Sequence, residues 1–198
     1  MPITADQVKQ LREMTGAGMM ECKKALAEAA GDLEKAVDVL RKSGAAQAEK
    51  RAGRAANEGL VDAYIHPGAR VGVLIEVNCE TDFVARTAEF EELVRNLAMQ
   101  VAAVGAEYVR REDVPAERVE RERAIYAGQV EGQGKPAAIV DKIVSGKLDK
   151  FFSEICLLEQ AYIRDDKKTV GELLQEAAAK TGENLVVRRF ARFRLGAE

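Results

Sequence analysis

The spacing of the hydrophobic residues changes at Gly59, and this change constrains the fold more than any other feature of the sequence. Before it, apolar residues recur every three or four positions, the period of amphipathic helices. After it, LVDAYIH (60–66) and VGVLIEV (71–77) flank a Pro67-Gly68 turn, which predicts a β-hairpin. The second strand has few polar positions, so we expect it to be covered on both faces. Helices mixed with a few hairpin-connected strands, without a regular strand–helix–strand rhythm, predict an α+β fold.

The first 44 residues predict three short helices. Thr4 and Gln7 fit a capping box, TGAG (15–18) separates the first two helices, and Gly-Asp at 31–32 ends the second and caps the third. Gly44 is the predicted end of the third helix. The apolar positions are Val8, Leu11, Met19, Cys22, Leu26, Leu33, Ala36, Val37 and Leu40. Three helices make a very small core, and a module of this size usually serves to bind.

Residues 45–58, AAQAEKRAGRAANE, predict a partly helical linker with a solvated, basic face. We therefore divide the chain into residues 1–54, the three-helix domain with its linker, and residues 55–198, the α+β core. The core begins with the hairpin and a small antiparallel sheet. Its longest predicted helix has apolar positions at Phe90, Leu93, Val94, Leu97, Ala98 and Val101 and ends at Gly105.

The second half of the core predicts weaker elements around an apolar centre, FFSEICLLEQAYI (151–163). In chain order they are a helix beginning at Pro115, a loop at GQVEGQGKP (128–136), a short helix around Ile139, Val140 and Ile143, a capping box of Thr169 with Glu172, and a closing strand LVVRRFARFRL (185–195).

Composition excludes several classes of function. The 30 basic and 33 acidic residues give a formal charge of −3, so no general field favours nucleic acid. No apolar run approaches the roughly 18 residues of a membrane span and no apolar leader follows Met1, so we expect a soluble, cytoplasmic protein without membrane contact. Cys22, Cys79 and Cys156 are widely spaced and predict free, buried thiols. With His66 as the single histidine, no metal or cofactor site is predicted.

Two stretches of the sequence resemble a nucleotide-binding or a catalytic site, but neither has the residue pattern that such a site requires. GQGK (132–135) is no phosphate loop, because Gln129 stands where the first glycine belongs and Pro136 replaces the hydroxyl residue. Cys79 beside Glu80 could form a thiol enzyme with His66, but a structural cysteine is favoured. We therefore expect neither an enzyme nor direct nucleotide binding.

The arginine-rich closing strand leaves a rival hypothesis, an RNA-binding translation accessory protein that would use this strand and the basic linker. In a strand, Arg188, Phe190, Arg192 and Arg194 share one face while Arg189, Ala191, Phe193 and Leu195 share the other. Neither face is a clean stacking platform, so a packed strand or a protein contact is favoured.

The stretch NCETDFVAR (78–86) lies where a strand meets a helix and allows two interpretations. Thr81 or Asp82 could cap the helix while Phe83 enters the core. Alternatively, Asp82 and Phe83 are displayed to a partner. The local sequence leaves both open.

Two stretches, LREMTGAGMMECKKAL (11–26) and EVNCETDFVAR (76–86), resemble the signature regions of the bacterial elongation factor Ts family, and the similarity extends along nearly the whole chain. The resemblance implies a three-helix N-terminal domain similar to ubiquitin-associated domains, and an α+β core. It also implies a guanine-nucleotide exchange factor for elongation factor Tu, which makes and breaks no covalent bonds.

The resemblance further assigns residues. The TDFV segment, Thr81, Asp82, Phe83 and Val84, would enter the GTPase domain and displace Mg²⁺, with Phe83 as the wedge and Asp82 as the polar contact that aims it. The N-terminal module would grip the same domain through Leu11, Arg12, Thr15, Gly16, Met19 and Met20, while the later core would hold another domain of the partner. A single EVNCETDFVAR-like half without a long helical insertion resembles the short form, which implies a homodimer. Combined with the cap interpretation, this predicts that Thr81 holds the junction and that Phe83 is exposed in the free protein.

Overall fold

The computed structural model describes residues 3–131 and 136–197 and confirms the α+β prediction. The helices are α1 (Ala5–Thr15), α2 (Met19–Glu28), α3 (Leu33–Arg51), α4 (Asp82–Ala85), α5 (Ala88–Val104), α6 (Ala116–Val130), α7 (Ala137–Ile155) and α8 (Val170–Thr181). The strands are β1 (Glu58–Ile65), β2 (Val71–Cys79), β3 (Ala161–Tyr162), β4 (Asp165–Thr169) and β5 (Val186–Arg194). The excluded phosphate loop, GQGK at 132–135, lies outside the described residues.

The chain divides into two compact units, each built from several segments. The first comprises Met1–Leu60, Val77–Leu93 and Leu173–Val186, and the second comprises Val61–Glu76, Val94–Glu172 and Val187–Glu198. Helices α1, α2 and α3 lie wholly in the first unit. The boundary after residue 54 stays a prediction, because units made of discontinuous segments do not decide which stretch folds alone.

The caps predicted for the N-terminal helices are present. Thr4 and Gln7 form a capping box in which the Gln7 N–H donates to Thr4 Oγ1 at 3.3 Å and the Thr4 N–H donates to Gln7 Oε1 at 3.0 Å. Gly16, with φ 69°, ends α1 in the left-handed region, which glycine adopts without steric cost. Asp32 Oδ1 accepts the Lys35 N–H at 3.1 Å at the start of α3.

The three helices enclose a small core of Val8, Leu11, Cys22, Ala25, Leu26, Ala29 and Ala36, with Leu33, Val37 and Leu40 packed against it. Met19 is an exception to the predicted pattern: it is 56% exposed because it begins α2, ahead of the buried turn. The predicted stop at Gly44 is wrong, since α3 continues to Arg51. An interior glycine costs a helix only about 1 kcal/mol, which the good helix formers around it offset.

A three-stranded sheet has the order β1-β2-β5, and the predicted hairpin forms its first two strands. The Leu195 N–H donates to the Arg70 carbonyl at 2.8 Å, which aligns the end of β5 with the start of β2 and makes this pair antiparallel. On β2, Val73 and Ile75 are buried, whereas Leu74 between them is 50% exposed. The expectation that both faces are covered is therefore wrong: an antiparallel sheet can bury one face alone.

In the second unit, α6 packs against α7 around Val130, Val144 and Leu148. The short helix predicted around residues 139–143 is wrong in length, because α7 runs 19 residues and includes FFSEI of the apolar centre. The predicted loop at 128–136 begins too early, since α6 continues to Val130.

The predicted α5 positions from Phe90 to Val101 are all buried, as expected. The predicted capping box that opens α8 is confirmed, since Thr169 N–H donates to Glu172 Oε2 at 2.7 Å and Glu172 N–H donates to Thr169 Oγ1 at 3.1 Å.

Candidate functional site

The strand-to-helix junction contains two helix starts. β2 ends at Cys79, and the single turn α4 follows at Asp82. Thr81 is extended (φ −127°, ψ 153°) and its Oγ1 accepts the Val84 N–H at 3.4 Å, so the predicted Thr81 cap is confirmed. It caps α4, however, and the long helix α5 has a cap of its own: Thr87 Oγ1 accepts the Phe90 N–H at 3.3 Å.

Phe83 lies in α4 and is 80% exposed, which confirms the expectation for the free protein. Ala85, two residues later, is buried, so the turn faces the core on that side and solvent at Phe83. Burying this ring against a partner would remove most of its surface from water. The geometry excludes the interpretation in which Phe83 enters the core.

Asp82 is paired within its own turn. Arg86 Nη2 lies 2.9 Å from Asp82 Oδ2, at the i, i+4 spacing that brings helical neighbours together. The two side chains are 45% and 79% exposed, so this is a surface pair of small energy. A carboxylate and a ring thus lie next to each other on a surface turn, with the carboxylate already oriented.

The turn that leads into α4 is fixed by Glu183, a residue more than a hundred positions away. Glu183 Oε2 accepts the backbone N–H groups of Glu80 and Thr81 at 3.0 and 3.1 Å. The Thr81 hydroxyl donates to Glu183 Oε1 at 2.6 Å. One carboxylate therefore accepts three hydrogen bonds from two consecutive residues.

The carboxylate of Glu80 links the same two segments again, this time by accepting a hydrogen bond from the segment that contains Glu183. Glu80 Oε1 accepts the Asn184 N–H at 2.6 Å, and Arg54 Nη1 lies 3.4 Å from the same oxygen. Asn184 Nδ2 donates to the Arg54 carbonyl at 2.9 Å, and Asn184 is buried. The segment after α3, the turn before α4 and the segment after α8 are thereby joined by hydrogen bonds.

Cys79 does not have the environment of a nucleophile. Its Sγ donates to the Thr81 carbonyl at 3.1 Å, and burial, followed by the charge of Glu183, raises the pKa of this thiol. Reactive cysteines require the opposite shift. All three cysteines, Cys22, Cys79 and Cys156, are free and buried, as predicted.

The N-terminal residues assigned by resemblance fall into two groups. Met19 and Met20 are 56% and 76% exposed, and Arg12 is also on the surface. Leu11 is fully buried, so any effect of this residue on binding would act through the fold of the module. Thr15 and Gly16 shape the end of α1, where the Thr15 hydroxyl donates to the Leu11 carbonyl at 2.7 Å.

The arginine-rich strand is partly committed to contacts within the chain. Arg189 Nε lies 2.7 Å from Glu76 Oε2, and Arg192 Nη2 donates to the Ala102 carbonyl at 3.3 Å. An arginine that pairs with a carboxylate or a helix end is less available to phosphates. The contacts favour a packed strand over a nucleic-acid platform.

The outer face of the sheet carries several exposed apolar side chains beside the Arg189–Glu76 ion pair. The Arg189–Glu76 pair places alternate residues of β5 and β2 on one face, and Ile65 of β1 shares it, since a Cβ at Gly72 would lie 3.0 Å from Ile65 Cδ1. Five large side chains of this face are at least half exposed: Val61 65%, Ile65 63%, Leu74 50%, Phe193 72% and Leu195 64%. Clusters of exposed apolar side chains are typical of interaction surfaces.

Sequence reasoning missed the residues that hold the junction: Arg54, Arg86, Thr87, Glu183 and Asn184. Arg86 and Thr87 had local signals, an i, i+4 pair with Asp82 and a Thr-x-x spacing before Phe90. Glu183 and Asn184 lie in TGEN, which has only the signature of a loop. Their contacts join residues 102 to 130 positions apart, and no local pattern records them.

The described part of the chain offers neither a metal cluster nor a membrane span. Among residues 3–131 and 136–197, no group of three or more His, Cys, Asp or Glu side chains is arranged to hold a metal ion. Within the same ranges, every helix is too short or too polar to span a bilayer.

Comparison with known proteins identifies the family. The sequence model of the family described as Elongation factor TS matches residues 4–197. Elongation factor Ts of Thermoanaerobacter sp. (strain X514) is 61% identical over 194 residues, covering 98% of this chain and 95% of the relative. Elongation factor Ts of Thermotoga maritima is 61% identical over 196 residues (99% and 98% covered), and that of Thermotoga neapolitana is 59% identical over 198 residues (100% of both). The chain belongs to the elongation factor Ts family of translation elongation factors.

Proposed function

We propose that the chain is a guanine-nucleotide exchange factor for elongation factor Tu and acts in the cytoplasm. It binds the Tu–GDP complex, inserts the TDFV segment (Thr81 to Val84) and dislocates Mg²⁺, so that GDP leaves and GTP binds. The chain itself performs no covalent chemistry and binds no nucleotide. The exposed ring of Phe83, held beside Asp82 on a fixed turn, is the observation that carries this proposal.

Magnitudes indicate why the segment is directed at the metal. A thousandfold faster release requires roughly 4 kcal/mol of differential stabilisation, at 1.36 kcal/mol per decade. Burying one Phe side chain supplies about 1.5–3 kcal/mol. The ring therefore needs help from the rest of the interface and a target whose loss is costly to the nucleotide. Coordination of Mg²⁺ by the phosphates is such a target.

The N-terminal module is proposed to grip the same GTPase domain. Met19 and Met20 provide exposed, adaptable apolar contacts, and Arg12 provides a charged one. Leu11, Thr15 and Gly16 would support this surface by fixing the end of α1. The domain boundary after residue 54 is part of this proposal, and the later core would hold a second domain of the partner.

We propose a homodimer formed through the apolar face of the sheet, defined by Val61, Ile65, Leu74, Phe193 and Leu195. The same face on a second copy is self-complementary across a two-fold axis. Sheets that pack face to face bury such side chains in a common layer. This arrangement would cover Leu74, the large apolar side chain of β2 that is half exposed within the chain.

Stimulated release of a fluorescent GDP analogue from elongation factor Tu tests the exchange function. Wild-type protein is expected to accelerate release, and Phe83→Ala is expected to abolish most of this acceleration. Because the ring of Phe83 is mostly exposed in the free protein and packs against little of the chain, its removal should cost little stability. The melting temperature of the variant should therefore stay within about 2 °C of the wild type. An intact exchange rate together with a large drop in melting temperature would refute the proposal. Calorimetry should detect no binding of GDP to the isolated chain, and micromolar binding would contradict the proposed role.

A further inference from the structure

We infer that Glu183 is a positioning residue for nucleotide exchange: its carboxylate fixes the turn at Glu80 and Thr81 so that Phe83 and Asp82 are held in a productive orientation. The inference rests on the proposed exchange function and adds to it a residue outside the TDFV segment. Glu183 itself does not belong to the exposed face of α4 and needs no contact with the partner.

The geometry concentrates three donors on one group. Both N–H groups of residues 80 and 81 bond Glu183 Oε2, at 3.0 and 3.1 Å, and the Thr81 hydroxyl bonds Oε1 at 2.6 Å. Bonds to an ionised carboxylate are stronger than bonds between neutral groups. Thr81 Oγ1 also accepts the Val84 N–H that starts α4. The hydroxyl of Thr81 therefore connects the Glu183 carboxylate directly to the turn that carries Phe83.

The same network joins the turn to the end of the N-terminal module. Glu80 Oε1 accepts the Asn184 N–H, and Asn184 Nδ2 donates to the Arg54 carbonyl, a few residues after α3. Further along the first unit, Arg51 Nη1 donates to the Ala178 carbonyl at 3.4 Å, and a Cβ at Gly16 would lie 2.7 Å from Lys180 Cε. These contacts join the turn before the TDFV segment to the segment after α3, and they place the end of α1 beside α8, which ends two residues before Glu183.

Holding the turn in one conformation is expected to raise the maximal rate of GDP release more than the affinity of the factor for elongation factor Tu. A loose turn can still dock through the rest of the interface, but the ring reaches its target in only a fraction of the complexes. Loss of the Glu183 contacts should therefore lower the release rate at saturating factor. The factor concentration that gives half of the maximal effect should change much less.

Two substitutions at Glu183 separate positioning from size and folding. Glu183→Met keeps the length of the side chain and removes both carboxylate oxygens, leaving only a weakly accepting thioether. Glu183→Gln keeps one acceptor oxygen for the two N–H groups, and its amide can donate to Thr81 Oγ1. Glu172→Met is the matched control, because it removes a carboxylate at the other end of α8, where Glu172 Oε2 accepts the Thr169 N–H at 2.7 Å. Amide hydrogen exchange at Glu80 and Thr81, followed by NMR on the full chain, reports the turn directly.

We expect Glu183→Met to expose both amides to exchange and to slow maximal GDP release about tenfold, equivalent to about 1.4 kcal/mol in the barrier, with less than a threefold change in half-saturating concentration. Glu183→Gln should recover protection and most of the rate, whereas Glu172→Met should lower the melting temperature without changing maximal release. Wild-type release by Glu183→Met, protected amides in that variant, or no recovery in Glu183→Gln would overturn the inference. If the wild type failed to accelerate GDP release, the proposed exchange function would be refuted. The amide exchange measurement would still decide whether Glu183 fixes the turn.

Discussion

Arg86 holds the carboxylate of Asp82 within a single helical turn, with Nη2 2.9 Å from Oδ2, beside the exposed ring of Phe83. The pair is mostly solvated, so its own contribution to folding is about 0–1 kcal/mol. The main effect of the pair is to orient the Asp82 carboxylate. The free protein displays a ring and an aligned acid on the same turn.

We therefore expect Asp82→Ala to slow maximal GDP release about tenfold, because a charge-assisted hydrogen bond to the partner contributes ~1.5–3 kcal/mol. Arg86→Ala should change release by less than threefold, since it removes only the alignment. Neither variant should shift the melting temperature by more than about 2 °C, as both side chains lie on the surface. Equal release by Asp82→Ala and wild type in the stopped-flow assay would show that the carboxylate does not contact the partner.

Local sequence patterns predicted the parts of the fold that local forces determine. The caps at Thr4 and Asp32, the hairpin and the buried face of α5 follow from spacing and turn chemistry, and the structure contains all of them. Two predicted helix lengths are wrong: α3 passes through the predicted stop at Gly44, and α7 runs from Ala137 to Ile155, well beyond the short helix predicted around residues 139–143. A single interior glycine costs a helix only about 1 kcal/mol, which good helix formers elsewhere in the helix offset.

The candidate site shows the same division. The Thr81 cap and the exposure of Phe83 could be predicted, because both depend on residues 78–86 and on the family resemblance. The Glu183 contacts could not, since a loop glutamate becomes an anchor only when the chain brings it to residues 102 and 103 positions away. Long-range hydrogen bonds carry no periodic signal in a single sequence.

Two glycine substitutions should have opposite effects on stability. Gly59 has φ 142°, and a Cβ there would lie 2.1 Å from the Val77 carbonyl oxygen, a backbone atom that cannot move without breaking the strand pair. Gly59→Ala is expected to destabilise the chain by roughly 2–4 kcal/mol. Gly44 lies inside α3, and a Cβ there would meet no atom within 4 Å, so Gly44→Ala should stabilise by about 0.5–1 kcal/mol.

Denaturant unfolding at one fixed protein concentration measures both glycine variants, because association would otherwise shift the apparent stability. A Gly59→Ala variant as stable as the wild type would mean that β1 and β2 can separate without cost at this point. A destabilising Gly44→Ala would contradict the continuous helix to Arg51.

The N-terminal module offers a test that separates folding from binding. Leu11 is fully buried, so Leu11→Ala should cost about 2–5 kcal/mol and lower the melting temperature. Met20 is 76% exposed, so Met20→Ala should leave the melting temperature unchanged and raise the factor concentration needed for half-maximal GDP release severalfold. If Met20→Ala binds elongation factor Tu as tightly as the wild type, this side of the module is not the gripping surface.

The apolar face of the sheet predicts a dimer that a single charge should break. Leu74→Lys places an ammonium group at the centre of the face, where burial against a second copy would leave it unpaired. We expect sedimentation equilibrium to give a dimer for the wild type and a monomer for Leu74→Lys. Ile125→Lys is the control, since Ile125 is 47% exposed and lies on α6 instead of on a strand of the sheet, and this variant should remain dimeric. A wild-type monomer at micromolar concentration would refute the homodimer.

The ion pair of Glu107 and Arg118 should contribute to the loss of folding stability at acidic pH. The Arg118 guanidinium bonds both carboxylate oxygens of Glu107, with Nη2 3.1 Å from Oε1, and lies over the rings of Tyr108 and Phe151 at 5.6 Å from each centroid. The hydrogen bond from Arg118 holds the pKa of Glu107 below its ordinary value, with burial opposing the shift. A lowered folded-state pKa means that the pair stabilises the fold fully above the unfolded pKa near 4.5 and loses that stabilisation as the pH falls through the folded value.

Glu107→Gln should therefore be less stable than the wild type at pH 7 by less than about 1 kcal/mol, because the pair is half exposed. The difference should shrink as the pH falls through the lowered pKa of Glu107, where the wild-type carboxyl is itself becoming protonated. In an Arg118→Met background, Glu107→Gln should have little effect at any pH, since the partner that lowers the pKa is gone. Unfolding free energies of the four proteins between pH 3 and 7 measure this cycle. A difference between Glu107→Gln and wild type that does not vary with pH would assign the effect to packing instead of charge.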